Sequence, residues 1–420
     1  MSTAIETPRR EPKAKRPDFA KVSPGREGRL VSRPLSIRHN ERGGELGPLP
    51  TRPERIRSVA VFRALVLGDL LCAVPALRAL RVGLPEASIA LVGLPWAREL
   101  ASRLSCVDEF IEFPGYPGLP ESVCDVSAVP SFLAGIQARR FDLAIQLHGA
   151  GTITNPLVAA FGARRMAGFR GTSAWAPDAD DGFFIRWAET GHEIDRLLAL
   201  PRALGMPETG RGLEFPVNDA DRDALAQLWP GARGSRPYIC VHPGAQLASR
   251  RWMPHRFAAV ADALAERGYV IVMTGSASEQ PLIATVAAVM HHPAVSLAGR
   301  TDLWTLGALI EGAAGIVCND TGVSHIASAL GTHSVIVSCG GDVARWAPLD
   351  ATRHRVLWAP MPCRPCQLAL CPEVWGCAAA ISVNEVVDVV DEMWPRVGSA
   401  TNVRLPAGTV PRLTFGYSPR

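Results

Sequence analysis

Asn319-Asp320-Thr321-Gly322-Val323-Ser324-His325-Ile326-Ala327 follows directly on the apolar run Gly315-Ile316-Val317-Cys318. The run reads as a buried parallel strand, Thr321-Gly322 as a tight turn, and the residues through Leu330 as a helix that starts at the turn. A helix N-terminus presents free N–H groups and the positive end of a dipole to whatever lies above it. Phosphate groups suit such a position. Asp320 at the strand end and His325 in the first helical turn would flank the same spot.

A matching element lies far upstream. Phe62-Arg63-Ala64-Leu65-Val66-Leu67-Gly68-Asp69-Leu70 leads to Pro75-Ala76-Leu77-Arg78-Ala79-Leu80, again a strand, a glycine turn, an acid and a helix. Between the two lie His242-Pro243-Gly244-Ala245, then Arg250-Arg251-Trp252-Met253-Pro254, then Thr274-Gly275-Ser276 with Glu279. The ordered set, with its Arg-x4-Gly-Asp-x5-Pro-x2-Arg and Asp-Thr-Gly-x2-His spacings, resembles glycosyltransferase family nine over about residues 56–395. That family contains the ADP-heptose:lipopolysaccharide heptosyltransferases. The resemblance implies the GT-B architecture, with the acceptor on the N-terminal domain and the nucleotide sugar on the C-terminal one.

Periodicity along the chain leads independently to an α/β class. Strands are expected at Val59–Leu67, Ser88–Gly93, Val107–Phe113, Asp142–Leu147 and Arg165–Phe169, then at Tyr238–His242, Tyr269–Thr274, Val295–Ala298, Gly315–Asn319 and Ser334–Ser338. Helical segments separate them, among them Pro95–Leu104, Val129–Arg139, Pro254–Glu266, Gln280–Met290, Leu303–Gly312 and Val323–Leu330. Short apolar runs alternating with helices indicate parallel sheets covered on both faces. Two doubly wound, Rossmann-like domains facing across a cleft are expected: 56–217, a linker at 218–235, and 236–397, closed by the helix Val383–Trp394. Ligands of such sheets sit at the carboxyl ends of the strands.

At 420 residues the chain accommodates both domains and terminal tails at 1–55 and 398–420. Hydrophobic residues make up 47%, yet no apolar stretch reaches the ~18 residues that would cross a membrane. No secretory h-region opens the chain, so the expected compartment is the cytoplasm. The formal charge of +4 is uneven, because residues 1–57 hold 14 Lys/Arg against 7 Asp/Glu. This Pro/Gly-rich head reads as disordered. It is either a basic arm for the anionic inner face of the membrane or a solvated tail. Its interspersed acids argue against nucleic acid as a partner.

The site residues follow from what sugar transfer requires. An acceptor hydroxyl must lose a proton, and Asp69 beside Gly68 is placed to take it. Capping of the helix is the alternative use of an Asp there, and the resemblance favours the base. Thr321 and Gly322 offer N–H groups to a diphosphate, and glycine permits close approach. Arg250 lies two residues before Trp252, where the resemblance implies a cation near the phosphates; it, or Arg251 one residue on, would offset the charge of the leaving group unless the pair is a solvated surface charge, and Ser249 would add a hydroxyl. Glu279 either accepts from ribose hydroxyls, as the resemblance suggests, or stabilises a helix start. Asp320 orients the loop or meets the donor sugar; His325 touches phosphate or sugar, or packs in the core. Gly244 and Ala245 line the cleft, whereas His242 reads as structural. The acceptor would be chosen by the loops Gly115–Ser127 and Gly168–Phe183.

The resemblance implies inverting transfer of a sugar, most simply heptose from ADP-heptose, to a lipopolysaccharide core or related cell-envelope glycolipid. No Asp-x-Asp is found at the cleft, so no metal and no cofactor is expected. The alternatives are a non-catalytic nucleotide-sugar-binding protein and a GT-B-like epimerase or hydrolase. No Gly-x-Gly-x-x-Gly follows a strand, which argues against a nicotinamide enzyme. Cys363, Cys366, Cys371 and Cys377 form a separate cluster, open to three readings: zinc ligands, disulfides, or plain loop cysteines.

Overall fold

The apolar runs form two parallel sheets of six strands each. A computed structural model describes residues 56–366, 368–371, 376–394 and 396–397. The basic head at 1–55 and the tail at 398–420 lie outside the described residues.

The first sheet contains β1 (Ser58–Phe62), β2 (Ser88–Gly93), β3 (Glu109–Glu112), β4 (Leu143–Gln146), β5 (Arg165–Arg170) and β6 (Phe184–Arg186), in the order β3-β2-β1-β4-β5-β6. The second contains β7 (Tyr238–His242), β8 (Val270–Met273), β9 (Ala294–Ser296), β10 (Gly315–Asn319), β11 (Ser334–Val337) and β12 (His354–Leu357), in the order β12-β11-β10-β7-β8-β9. Each sheet thus reverses its winding beside its first strand, between β1 and β4 and between β7 and β10. That reversal opens a crevice at the strands' carboxyl ends.

β1 and β10 are apolar along their middles because both faces are covered: Val59 to Phe62 and Ile316 to Cys318 are fully buried. One apolar cluster runs from the first sheet through the helices Leu67–Gly83, Glu193–Ala203, Leu303–Gly312 and Gly322–Leu330 to the second sheet. Leu70, Leu71 and Leu77 lose all solvent contact there, each contributing roughly 1.5–3 kcal/mol of transfer free energy. The helix Asp219–Leu228, in the segment read as a linker, is closed by an Asn218/Asp221 capping box.

Two expectations need correction. The strand predicted over Val59–Leu67 ends at Phe62, and the helix already starts at Leu67. Ala64-Leu65-Val66-Leu67 is apolar enough for a strand, but the ladder stops where the Arg63 side chain turns inward to donate to Leu147 O at 2.6 Å. The capping reading of Asp69 also fails: the N-cap is Val66, without a side-chain bond, and Asp69 is the third helical residue. β6 and β12, which the sequence reading did not mark, are short edge strands.

Burial of histidine gives the fold an acid limit. His354 on β12 is 3% exposed and bonds Ser334 Oγ through Nδ1 at 2.8 Å. Burial, aided by His333 and Arg353 against Asp350, lowers its pKa to about 4, from about 6.5 in an unfolded chain. The unfolded state therefore takes up the proton first. Stability from this group is complete above pH ~6.5 and is lost as pH falls toward ~4, by up to about 1.4 kcal/mol per pH unit. Urea unfolding across that window should show the loss, and His354→Gln should flatten it. An unchanged pH slope in that variant would count against this account.

Candidate active site

Two helices begin head to head in the crevice. Leu67–Gly83 leaves β1, and Gly322–Leu330 leaves β10. Gly68 is required by their approach, since a Cβ on it would lie 2.6 Å from His325 Cδ2. A Cβ on Gly322 would lie 3.2 Å from Leu67 Cδ2. The positive ends of two helix dipoles therefore meet at one place, across a cavity of about 420 Å³. Its wall includes Asp69, Ala245, Arg250, Asp320, Thr321, Gly322 and His325, together with Arg345 and Trp346.

Asp69 belongs to the first sheet's side of this cavity, with its side chain 22% exposed. Burial raises its pKa; Arg63, 3.8 Å from Oδ1, opposes that rise, and Glu193 adds to it. A carboxylate with a raised pKa is a better proton acceptor than an ordinary aspartate. Arg63 fixes the helix start as well, donating to Asp69 O at 2.8 Å.

Thr321 is the N-cap of the opposing helix but makes no side-chain cap, so its hydroxyl stays available and the first N–H groups face the cavity. Asp320 Oδ2 accepts from Ser338 Oγ at 3.1 Å. His325 is 6% exposed, and burial lowers its pKa against the pull of Asp320 and Asp69. It is neutral at pH 7.

Asn319 carries the loop after β7 into place. Its Nδ2 donates to Pro243 O at 2.8 Å and its Oδ1 accepts from Trp252 N at 2.9 Å. This puts Ala245 and Arg250 in the cavity wall. Arg250 Nη2 donates to Cys366 O at 2.8 Å, while its buried Nε has no partner among the described residues. Arg251 turns back to Ala245 O at 2.9 Å and does not line the cavity. Ser249 is buried, with Oγ on Leu368 O.

Glu279 and Gly244 sit behind this wall. Glu279 closes a capping box with Ser276, its Oε2 accepting from Ser276 N at 2.8 Å. A Cβ on Gly244 would overlap its carboxylate. His242 bonds Thr274 Oγ1 at 3.0 Å and is buried. Of the loops read as acceptor-facing, the first brings Glu121 to 3.7 Å from His148, at the end of β4.

The sequence reading passed over a group behind Asp69. Glu193, 1% exposed, lies 3.4 Å from Arg63, 3.0 Å from Arg196 and 2.8 Å from Arg345. Burial alone would raise its pKa, but Arg63 and Arg345, with help from Arg196, outweigh this and hold it below the usual range. Arg345 belongs to the short helix Val343–Trp346 after β11, so one carboxylate ties the two sheets' helices together. His192 adds a bond to Ala347 O at 2.8 Å. The only local signal was an acid in a first helical turn, which is common.

None of the ten cysteines is joined to another in a disulfide. Among the described residues, no group of three or more His, Cys, Asp or Glu side chains is arranged to hold a metal ion, the cysteine cluster included. No described helix is long and apolar enough to cross a membrane.

Two Rossmann-type sheets, with a charged cavity where the helices after β1 and β10 meet, make the GT-B architecture. The profile of glycosyltransferase family 9 (heptosyltransferase) matches residues 130–374, more than half of the chain, and the protein belongs to that family. It is 26% identical over 277 residues to lipopolysaccharide heptosyltransferase 2 of Escherichia coli K12, covering 63% of this chain and 77% of that one. Lipooligosaccharide heptosyltransferase 2 of Haemophilus ducreyi is 27% identical over 292 residues, covering 66% and 80%. Among solved structures, the family 9 glycosyl transferase of Veillonella parvula superposes with a TM-score of 0.69 at 20% identity, covering 80% of this chain and 97% of that one. E. coli ADP-heptose lps heptosyltransferase II gives 0.61 at 21%, covering 80% and 98%. These structural likenesses carry the fold.

Proposed function

We propose that the protein transfers heptose from ADP-heptose, with inversion and without a metal ion, to the saccharide of a lipopolysaccharide core or related glycolipid. The observation that carries this reading is the cavity itself, with Asp69 on one wall and the Thr321–Gly322 helix start and Arg250 on another. The sugar and acceptor come from what the relatives' names say of those proteins.

The acceptor hydroxyl approaches from the first sheet's side and gives its proton to Asp69. Its oxygen forms the new bond to the anomeric carbon as the bond to phosphate breaks on the opposite face. The electron pair leaves on the diphosphate, where helix N–H groups and Arg250 meet the charge. Those protein charges do the work a divalent ion would otherwise do, which is the ground for proposing metal independence. Glu279 would accept from a ribose hydroxyl through Oε1, since its Ser276 cap uses Oε2. His325, being neutral, positions donor groups by hydrogen bonding rather than by charge.

The test is ADP release from ADP-heptose in the presence of heptose-deficient lipopolysaccharide, with and without EDTA, with NMR of the product's anomeric centre. Rates that agree within about twofold and an inverted centre are expected. A retained configuration, or collapse in EDTA that magnesium restores, would remove the corresponding part of the proposal.

A further inference from the structure

Arg345 is anchored at one end and open at the other. Its Nε donates to Glu193 Oε2 at 2.8 Å, and its guanidinium carbon lies 4.6 Å from the centre of the Trp346 ring. No acceptor among the described residues takes a hydrogen bond from Nη1 or Nη2. The side chain is 33% exposed and lines the same cavity as Arg250, Thr321 and Gly322. A guanidinium held through Nε keeps its two terminal nitrogens as a planar fork, the geometry that takes two oxygens of one anion. The charge balance points the same way. Glu193 serves Arg63, Arg196 and Arg345 together, and the other carboxylate in contact, Asp69, lies 3.8 Å from Arg63, so three guanidinium groups face two carboxylates.

We propose that Arg345 is a second cationic ligand of the donor's diphosphate, and that Glu193 is the positioning residue that aims it. The inference rests on the donor reading of the cavity and adds to it a residue outside the recognised motifs. As the anomeric carbon–oxygen bond breaks, the electron pair settles on the phosphate oxygen, and the Nη pair of Arg345 shares that charge with Arg250 and the helix N–H groups. Because Arg345 extends from the second sheet's side to Glu193 on the first, the site binds the diphosphate fully only while that bridge is made.

Calorimetric titration of the full chain with inorganic pyrophosphate and with ADP tests this in wild type, Arg345→Met and Arg345→Lys. Arg345→Met should weaken both probes by roughly 10- to 100-fold, the range for a charged hydrogen-bonding group. Arg345→Lys should fall between, since it keeps the charge and loses the fork. Glu193 retains Arg63 and Arg196 in both variants, and the lysine variant carries the test if the methionine one does not fold. Dissociation constants equal to wild type in the folded variants overturn the proposal; if transfer is nevertheless lost, Arg345 serves the acceptor. Wild type that binds pyrophosphate but not ADP removes the adenosine donor and leaves the Arg345 test standing. Wild type that binds neither probe overturns the donor reading and this inference together.

Discussion

Asp69→Ala should lower kcat/KM for transfer by about 10²- to 10⁴-fold, the usual contribution of a positioned general base, with ADP affinity within about twofold of wild type. Asp69 lies across the cavity wall from the donor-side residues and caps nothing, so its removal leaves the opposing helix start and Arg250 as they were. Asp69→Asn separates proton transfer from shape, because it keeps the volume and loses the basicity. The pH profile supplies a second sign. Burial raises the Asp69 pKa above that of an ordinary aspartate, with Arg63 only partly opposing it. Below that raised pKa the carboxyl is protonated and cannot act, so kcat/KM climbs with pH through a limb displaced to the alkaline side of a free aspartate. A decrease of only a few fold in Asp69→Ala would place the base elsewhere.

Glu193→Gln should cost about 3–5 kcal/mol of unfolding free energy, the usual result of removing one partner from a buried ionic cluster. The reason is the count of charges: of three guanidinium groups, two of them buried with Arg63 at 1% and Arg196 at 5% exposure, all would lose the carboxylate they share, and Arg63 would keep only Asp69 at 3.8 Å. Transfer should fall as well, because Arg63 sets the backbone of Asp69 and Arg345 lines the cavity. Urea unfolding at pH 7 measures the first effect directly. A cost below about 1 kcal/mol would mean that water or rearranged neighbours satisfy the arginines, and that Glu193 is no keystone between the sheets.

The parts of this protein legible in the sequence are those whose physics is local. The run from Gly315 to Asn319 is uniformly apolar and ends in a turn, so strand, turn and helix start were readable together. Gly68 and Gly322 stand where two helix ends touch, a demand that leaves a glycine at a fixed place beside the functional residue. Ala64 to Leu67 misled because a short apolar run satisfies strand and helix patterns equally, and what ends β1 is Arg63 bonding to Leu147, 84 residues away. β6 and β12 are edge strands of three and four residues, too brief for periodicity to mark. Glu193 and Arg345 were out of reach for the same reason as Arg63: their meaning is a contact across 152 residues, with no local pattern to announce it. Arg250 and Arg251 look alike in sequence; the fold separates them, with Arg251 bonded to Ala245 O and Arg250 in the cavity wall.

The measurement that bears most directly on the central claim is a crystal structure of the protein with ADP. The diphosphate is expected in the cavity between the two helix starts, with phosphate oxygens within hydrogen-bond distance of the Gly322 backbone N–H and the Arg250 guanidinium, and Asp69 facing the vacant sugar position. ADP bound away from Thr321–Gly322, or with its phosphates directed to solvent, would contradict it.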